Sequence, residues 1–272
     1  YGTDDNFGLC PSYLRAAKAL NLEYHLFDYK KEQNSILPFG KFGKKLHALL
    51  PVHLWNHRLN RKFVVFARQY KPDLVIPFTN APISPASILF LKTVLPDCKF
   101  VLVWPDSLLN FTDNAMAGLR HYDFISTYGS TSVPHLQNLT AGKVFFNPLA
   151  GDPEIHGKKP ASTSSIDVGF VGGWRPEREA TMTHIFEKFP ELSMEIHGPY
   201  WEKQTKGKPI ASKVKSGGLN GDGMASFFNK TKINVNIIDD TNYPSANMRF
   251  FEIPTAGGLQ LVSACPEMAD TF

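Results

Sequence analysis

Short β-rich runs alternate with longer amphipathic stretches along almost the whole chain, and this alternation restricts the fold more than any other feature. The clearest runs are DLVIPF (73–78), KFVLVW (99–104), IDVGFVG (166–172) and KINVNII (232–238). Neighbouring parallel strands need a crossover connection, which is usually a helix. The sequence therefore predicts an α/β protein built from parallel βαβ units.

The other predicted elements continue this pattern. Helices are predicted at 10–21, over about 40–70 with an interruption near Pro51, at 84–95, 132–139 and 176–189, around 224–228, and at 247–257. Strands are predicted at 23–29, 123–129, 143–148, 192–198 and 259–263. Two helices carry apolar stripes that we expect to be buried, Leu59, Phe63, Phe66 and Tyr70 on one and Met182, Ile185, Phe186 and Phe189 on the other.

The chain of 272 residues is long enough for two domains. The stretch 151–165 is rich in Gly, Pro, Ser and Lys and has no apolar period, which is typical of a linker. We therefore predict an N-terminal domain at 1–150 and a C-terminal domain at 166–272. The chain opens where a first βα loop is expected and stops without helices to cover its last strand, so we expect truncation at both ends.

Composition and charge exclude several classes of protein. A net charge of +4 and a pI near 8.8 suit an anionic ligand but are too weak to indicate nucleic-acid binding. The basic run KFGKKLH (41–47) is better explained as a solvated helix face. The three cysteines form neither a metal-binding pair nor an even disulfide set, which favours a reducing, cytoplasmic location. The apolar runs are too short to span a bilayer, and YGTDDNFGLC lacks the pattern of a signal peptide.

A glycine pair follows the strand at 166–172 and leads directly into a helix, in the string VGFVGGWRPERE. Gly172 and Gly173 would let a ligand approach the backbone closely, and the free N–H groups and the helix dipole favour an anion such as phosphate. Arg175 could add a charge-assisted hydrogen bond. An ordinary tight βα turn would also need glycine here, so the sequence leaves both interpretations open.

The string NMRFFEIPTAGGLQLVS (247–263) places a cation and a carboxylate near the start of another helix. Asn247 and Arg249 lie at the helix start, and Glu252 follows about one turn later. Ligands of α/β proteins bind where a parallel strand ends and the next helix begins. A carboxylate can accept hydrogen bonds from two vicinal hydroxyls, and an arginine can pair with a diphosphate. The alternative is an exposed ion pair between residues i and i+3.

These strings, together with KINVNII and in this order, resemble the C-terminal domain of GT-B glycosyltransferases. The nearest likeness is to the spore-maturation CgeB-like group, which is allied to the group 1 glycosyltransferases, and the most specific part is RFFEIPTAG (249–257). The resemblance extends over 166–272. Over 1–148 it rests mainly on the order of elements and on VLVWPDS (101–107).

The resemblance implies two Rossmann-like domains that face a cleft, with a nucleotide-sugar donor bound mainly to the C-terminal domain. It implies a hexosyltransferase that moves a sugar to an acceptor hydroxyl without a bound metal or other cofactor, with UDP or GDP favoured as the nucleotide. By this likeness Glu252 would hold the donor ribose, and Gly172 and Gly173 would lie near the diphosphate.

Four further residues match polar positions of the donor site. Asn247 and Arg249 match positions near the phosphates or the donor sugar, and Arg175 could share that role. His197, in IHGPYW, matches a strand end near the base pocket. One departure is clear, because many group 1 enzymes carry a second glutamate eight residues before the ribose glutamate, where this chain has Pro244.

Two aspartates just upstream of Pro244, and several residues of the N-terminal half, have roles that the sequence leaves undecided. Asp239 and Asp240 could replace part of the missing glutamate's role or simply form a polar turn. Asp106, in WPDS, is the candidate general base for an acceptor hydroxyl, and the competing interpretation is a capping residue. Asp4 and Asp5 have the same two interpretations.

The function predicted from sequence is therefore glycosyl transfer from a nucleoside-diphosphate sugar to an unidentified acceptor. Partners would be the donor and that acceptor, with no nucleic acid and no transmembrane segment. Two alternatives stay open: a nucleotide-sugar epimerase on the same fold, and a non-enzymatic two-domain ligand-binding protein.

Overall fold

The computed structural model describes residues 1–4, 8–36, 40, 42–43, 45, 53–157 and 166–271. The chain forms two compact units, Tyr1–Pro148 and Leu149–Phe272. Each unit contains its own parallel sheet covered by helices, as the alternating sequence pattern predicts. The predicted linker at 151–165 includes a short helix at Pro153–His156, and its remaining residues from 158 lie outside the described part.

The N-terminal unit has four parallel strands in the order β1-β2-β3-β4. They are β1 Leu74–Val75, β2 Lys99–Trp104, β3 Phe124–Thr127 and β4 Lys143–Phe146. The helices are α1 Leu9–Ala19, α2 Tyr29–Ile36, α3 His53–Tyr70, α4 Pro85–Val94, α5 Asp113–Gly118 and α6 Ser132–Gln137. Two 3-10 turns, Leu108–Asn110 and Leu119–His121, complete the unit.

Strand β2 shows why this sheet is covered on both faces. Its side chains alternate between faces, as in any strand. Phe100 and Leu102 are buried in the cluster that includes Leu59 of α3, whereas Val103 packs in a second cluster with residues of α1. A strand buried on both faces has a continuous apolar sequence, which KFVLVW has.

The C-terminal unit has five parallel strands in the order β7-β6-β5-β8-β9. They are β5 Ile166–Val171, β6 Met194–His197, β7 Val214–Lys215, β8 Thr231–Asn236 and β9 Gln260–Val262. The helices are α7 Pro153–His156, α8 Pro176–Lys188, α9 Trp201–Gln204, α10 Gly221–Lys230, α11 Met248–Thr255 and α12 Pro266–Thr271, with a 3-10 turn at Pro209–Lys213.

Two apolar clusters hold this second sheet. On one face Val168 and Phe170 of β5 pack with Met182 of α8, which is fully buried. On the other face Val171 packs with residues of α10 and α11, including Phe227. The central strand β5 is therefore fixed from both sides, and its carboxyl end is a rigid base for the loop that follows.

The predicted strand at 23–29 is wrong. Only Asp28 forms an isolated parallel bridge, to Gly2, and α2 begins at Tyr29. The Asp28 carboxylate accepts a hydrogen bond from the backbone N–H of Lys31 at 3.0 Å, so the chain enters a helix where the apolar pattern predicted a longer strand. The predicted helical region from 40 falls largely on residues outside the described part before α3, and so does most of the basic run at 41–47.

The two predicted apolar stripes are buried at Leu59, Phe63 and Met182, half-buried at Phe66, Ile185 and Phe186, and exposed at their last positions. Tyr70 is 41% exposed, and Phe189 is 51% exposed because α8 ends at Lys188 and Phe189 has left the helical conformation. Both predictions were wrong at the last position of the stripe, because Tyr70 is the exposed final residue of α3 and Phe189 lies just beyond α8. No helix in the described part of the chain is both long and apolar enough to cross a membrane.

Candidate functional site

The topology of the C-terminal sheet identifies the edge where a ligand can bind. From β5 the chain continues to its neighbour β6, whereas β8 lies on the other side of β5. The loops that leave the carboxyl ends of β5 and β8 therefore run in opposite directions and leave a crevice between them. In open α/β sheets ligands bind at such a switch point.

Glu252 and Arg249 lie at this switch point. Glu252 is only 2% exposed, and its Oε2 accepts a hydrogen bond from Nη1 of Arg249. Arg249 Nε donates to the backbone oxygen of Val171, the last residue of β5, at 3.2 Å. The pair at i and i+3 is present, but its carboxylate is buried and its arginine is only partly exposed, so it does not lie on an exposed helix face. It joins α11 to the end of the central strand.

The helix that carries this pair is positioned by Asn247. Its Oδ1 accepts from the backbone N–H of Phe250 at 3.2 Å and so caps α11. Its Nδ2 donates to Oδ1 of Asn236, the last residue of β8, at 2.8 Å. Asn247 therefore fixes the start of α11 against the sheet, which is a structural contribution in addition to the ligand contact predicted for it.

A second charged cluster lies on the same edge around Asp239, just after β8. Asp239 is 2% exposed, and its Oδ2 is 2.6 Å from Nη2 of Arg178 and 3.1 Å from Nε of Arg175. Burial raises the pKa of the Asp239 carboxyl. Hydrogen bonds from Thr241 and Asn242, together with the two guanidinium charges, lower this pKa by more, so it lies below the usual range of an aspartate.

The glycine turn after β5 is held by the neighbouring loop after β6. Gly172 N–H donates to the His197 oxygen at 2.9 Å, and Trp174 N–H donates to the Pro199 oxygen at 3.0 Å. Gly198 has φ of +144°, and a Cβ on it would lie 2.0 Å from the Gly172 oxygen. Only glycine allows these two loops to lie so close. In the described part of the chain, Gly173 is the member of this turn whose N–H has no recorded acceptor.

His197 is buried at the carboxyl end of β6, on the same edge. Its Nε2 lies 3.2 Å from Glu195, and its ring packs edge-on against Phe227 with centroids 4.8 Å apart. Its Nδ1 is buried, with no hydrogen-bond partner among the described residues. The sequence-predicted residues 172, 173, 175, 197, 247, 249 and 252 thus all lie along the carboxyl edge of one sheet or in the loops and helix next to it.

Asp106 lies in the other unit, after β2. Its Oδ1 accepts from the backbone N–H of Ser107 at 2.7 Å and from Nδ2 of Asn110 at 2.9 Å. Hydrogen bonds of this kind are typical of a residue that stabilises its own loop. They leave the predicted role as a base untested.

Sequence reasoning missed two residues of the C-terminal edge. Arg178 is two positions beyond the start of α8, and its side chain is 13% exposed and held by Asp239 and the Gly173 oxygen. His156 lies in the predicted linker, with Nε2 3.5 Å from Oε1 of Glu252. The RPERE string could have indicated Arg178, because residue 178 is one turn beyond the glycine pair. No sequence pattern indicated His156.

Among the residues that the structure describes, no group of three or more His, Cys, Asp or Glu side chains is placed to hold a metal ion. The charges of this edge come from arginine, aspartate and glutamate. The arrangement offers three guanidinium groups to an anion and one buried carboxylate to a hydroxyl donor.

Comparison with protein-family models finds one match, in which residues 178–272 match a family described as glycosyl transferase-like. A search of curated proteins finds no match. The matched segment begins inside α8 and includes α11, and it contains Arg178, Asp239 and Glu252.

Three solved structures illustrate the fold. OtsA in its apo form has a TM-score of 0.57 and 10% identity, with 98% of this chain and 70% of that chain covered. AviGT4, a glycosyltransferase involved in avilamycin A biosynthesis, has a TM-score of 0.52 and 13% identity, with 78% and 60% covered. TarM has a TM-score of 0.53 and 13% identity, with 75% and 43% covered.

At these identities the likeness concerns the fold alone, and the chain spans only 60% of AviGT4 and 43% of TarM. The two parallel α/β sheets and these neighbours confirm the predicted fold class. The chain has the GT-B fold, and its C-terminal segment at 178–272 is glycosyl transferase-like.

Proposed function

We propose that this protein is a glycosyltransferase that moves a sugar from a nucleoside-diphosphate donor to an acceptor hydroxyl. The observation that carries the proposal is the pair of the buried Glu252 carboxylate with the partly exposed Arg249 at the switch point of the C-terminal sheet. It lies within the segment that matches a glycosyl transferase-like family. A buried carboxylate beside an arginine suits a ligand that carries both hydroxyls and phosphates.

Glu252 is assigned the donor ribose. A carboxylate has about four lone-pair positions, and the recorded contacts with Arg249 and His156 use part of this capacity. The remaining lone pairs can accept hydrogen bonds from vicinal hydroxyls. His197, with its unpartnered Nδ1, is assigned to the nucleobase end of the donor.

The diphosphate is assigned to the arginines and the glycine turn. Arg249 has five N–H donors, and the contacts recorded in the described residues use two of them. Arg175 follows the glycine pair in sequence, its side chain is 44% exposed, and its Nε lies 3.1 Å from Asp239 Oδ2. Fixed positive groups of this kind stabilise the charge that develops on a leaving diphosphate, so the proposed reaction needs no metal.

The acceptor side is assigned to the N-terminal unit, with Asp106 as the general base. Oδ2 of Asp106 has no recorded partner in the described part of the chain, so it could accept a proton from a hydroxyl. We further propose a CgeB-like subtype of the group 1 enzymes. The three cysteines are free and buried, as is usual for proteins of reducing compartments, and we propose a cytoplasmic location.

Donor binding tests the proposal first. Thermal-shift measurements with UDP, GDP, ADP and TDP sugars should show one nucleotide class raising the melting temperature, because a ligand that binds the folded state stabilises it. Glu252→Gln should then lower the affinity for that nucleotide by about 5- to 150-fold in calorimetry. This corresponds to the loss of about 1–3 kcal/mol for a hydrogen bond to a charged group. Glu187→Gln, on the exposed side of α8, removes the same charge and is the control.

Three results would contradict the proposal or part of it. If the Glu252→Gln variant and the unaltered chain bind the nucleotide with equal affinity, the assignment of Glu252 to the ribose is wrong. Donor consumption that needs no acceptor and returns an epimerised nucleotide sugar would favour the epimerase alternative. The absence of any nucleotide-dependent shift would favour a binding protein of another class.

A further inference from the structure

The short helix α7 packs against α10 and α11, close to the carboxylate that we assign to the ribose. The approach is tight at Gly151, where a Cβ would lie 2.1 Å from Oγ1 of Thr255 and 2.8 Å from the Phe251 oxygen. Both of those residues belong to α11. The segment before α7 is therefore fixed against the helix that carries Glu252, although its composition is that of a linker.

The imidazole of His156 has a defined orientation and tautomer in this segment. The backbone N–H of Asp152 donates to its Nδ1 at 3.2 Å, so Nδ1 acts as the acceptor. In a neutral imidazole the proton then lies on Nε2. His156 is 8% exposed, and this N–H side of the ring faces the carboxylate.

Glu252 is consequently held at both of its oxygens. Oε2 accepts from Arg249, and Oε1 lies 3.5 Å from Nε2 of His156. Removing either contact would let the carboxylate rotate about its last torsion, which is broad for a glutamate. With both contacts present, the Glu252 carboxylate keeps one orientation, and its unused lone pairs point in a fixed direction.

We propose that His156 is a positioning residue that orients Glu252 for the two ribose hydroxyls of the donor. This inference rests on the proposed function, because it presupposes that Glu252 holds the ribose. His156 acts through Glu252 and does not touch the donor. His156, near the start of the C-terminal unit, thus controls how Glu252 of α11 binds the ribose hydroxyls.

Two substitutions test the roles of the two ring nitrogens of His156 separately. In His156→Asn the side-chain oxygen can take the place of Nδ1 and still accept from Asp152, but nothing reaches Glu252. In His156→Gln the amide N–H can reach the position of Nε2. His184→Asn, on the exposed side of α8, is the matched control.

The probes are UDP and GDP, each compared with its 2′,3′-dideoxy counterpart by calorimetry on the whole chain. For the nucleotide that binds, His156→Asn should lower the affinity for the ribose form about fivefold or more, which is the usual range of coupling between contacting groups. The dideoxy form, which has no hydroxyls for Glu252, should bind the variant and the unaltered chain equally. His156→Gln should recover most of the lost affinity, and His184→Asn should change neither ligand.

Equal weakening of both ligands by His156→Asn would show a merely structural role and overturn the inference. Unchanged affinity for the ribose form would overturn it as well. In either case Glu252→Gln would still distinguish ribose from dideoxy forms, so the proposed function would stand. If Glu252→Gln does not distinguish them, or if neither UDP nor GDP binds, the proposed function fails and the inference fails with it.

Discussion

The carboxyl edges of the two sheets are built from different chemistry. In the C-terminal unit three arginines and two buried acids lie around the ends of β5 and β8. In the N-terminal unit the loops after β1 and β2 are tied together by neutral groups. Asn80 Nδ2 donates to the Asn110 oxygen at 2.7 Å, and the backbone N–H of Thr112 donates to Asn80 Oδ1 at 3.0 Å.

This difference shows that one architecture can carry two kinds of loop chemistry. Parallel strands bring their loops to the same edge in both units, but the fold does not decide what the loops bind. The charged edge suits an anionic ligand. The amide-rich edge carries Asp106, which follows β2, and we propose that this edge receives the acceptor hydroxyl.

The largest expected effect tests the task of the N-terminal edge. Asp106→Asn keeps a side-chain oxygen for the loop but removes the base, so turnover should fall about 100-fold or more, the range for loss of a general base. Turnover is measured as nucleoside-diphosphate release with an acceptor panel, and nucleotide affinity should not change. Asp113→Asn, at the exposed start of α5, is the control. Unchanged turnover would leave Asp106 as a loop-stabilising residue only.

The next effect concerns stability of the charged edge. Asp239→Asn leaves the largely buried Arg178 without its anionic partner, which should lower the free energy of unfolding by about 3 kcal/mol. Asp106→Asn should lower it by at most about 1 kcal/mol, because the amide oxygen of the variant can still accept from Ser107 and Asn110. Urea unfolding followed by tryptophan fluorescence measures both. Similar losses of unfolding free energy in the two variants would contradict the proposed difference between the charged edge and the amide-rich edge.

A backbone substitution tests how closely the loops of the charged edge pack. Gly198→Ala would place a methyl group against the Gly172 oxygen and force an unfavourable φ, at a cost of about 1–3 kcal/mol in unfolding free energy. Gly218→Ala is the control, because its Cβ would have no neighbour within 4 Å. A tolerated Gly198→Ala would mean that the glycine turn is less closely confined than the structure indicates.

The smallest effect is the acid dependence of stability. The folded-state pKa of Asp239 is lowered, so its stabilising contribution is complete above the unfolded-state pKa of about 4. As the pH falls below that value, the unfolded chain takes up the proton first and the contribution decreases until the folded-state pKa is passed. Urea unfolding between pH 5 and pH 3, at about one-unit spacing, should show a shallower loss for Asp239→Asn than for the unaltered chain.

The fold could be predicted from sequence wherever a strand is buried on both faces. Strands such as β2 and β5 are continuous apolar runs, and their predicted positions agree with the structure. The prediction at 23–29 was wrong because Asp28 caps a helix, a local hydrogen bond that the apolar pattern does not contain. The two-residue strand β7 is too short to show any period.

The candidate site was only partly predictable for a similar reason. The position of Glu252 after a strand and at a helix start follows from local sequence, and so does that of Arg249. The burial of Glu252 does not, because it depends on His156 and Arg249 meeting it in the folded chain. Likewise Arg175 and Arg178 are both near the glycine pair, but only the position of Asp239 shows that Arg178 is the more deeply held of the two.

The order of strands in the C-terminal sheet also has a kinetic consequence. Arg178 and Asp239 are 61 positions apart, and Arg249 and Val171 are 78 apart. Closing loops of this length costs chain entropy before any contact compensates for it, and such long-range pairings form slowly. We therefore expect the charged edge to gain protection from hydrogen exchange later in refolding than β5 and β6, which are neighbours along the chain. Binding of the proposed nucleotide donor would then report that a newly made chain has completed its most distant closures.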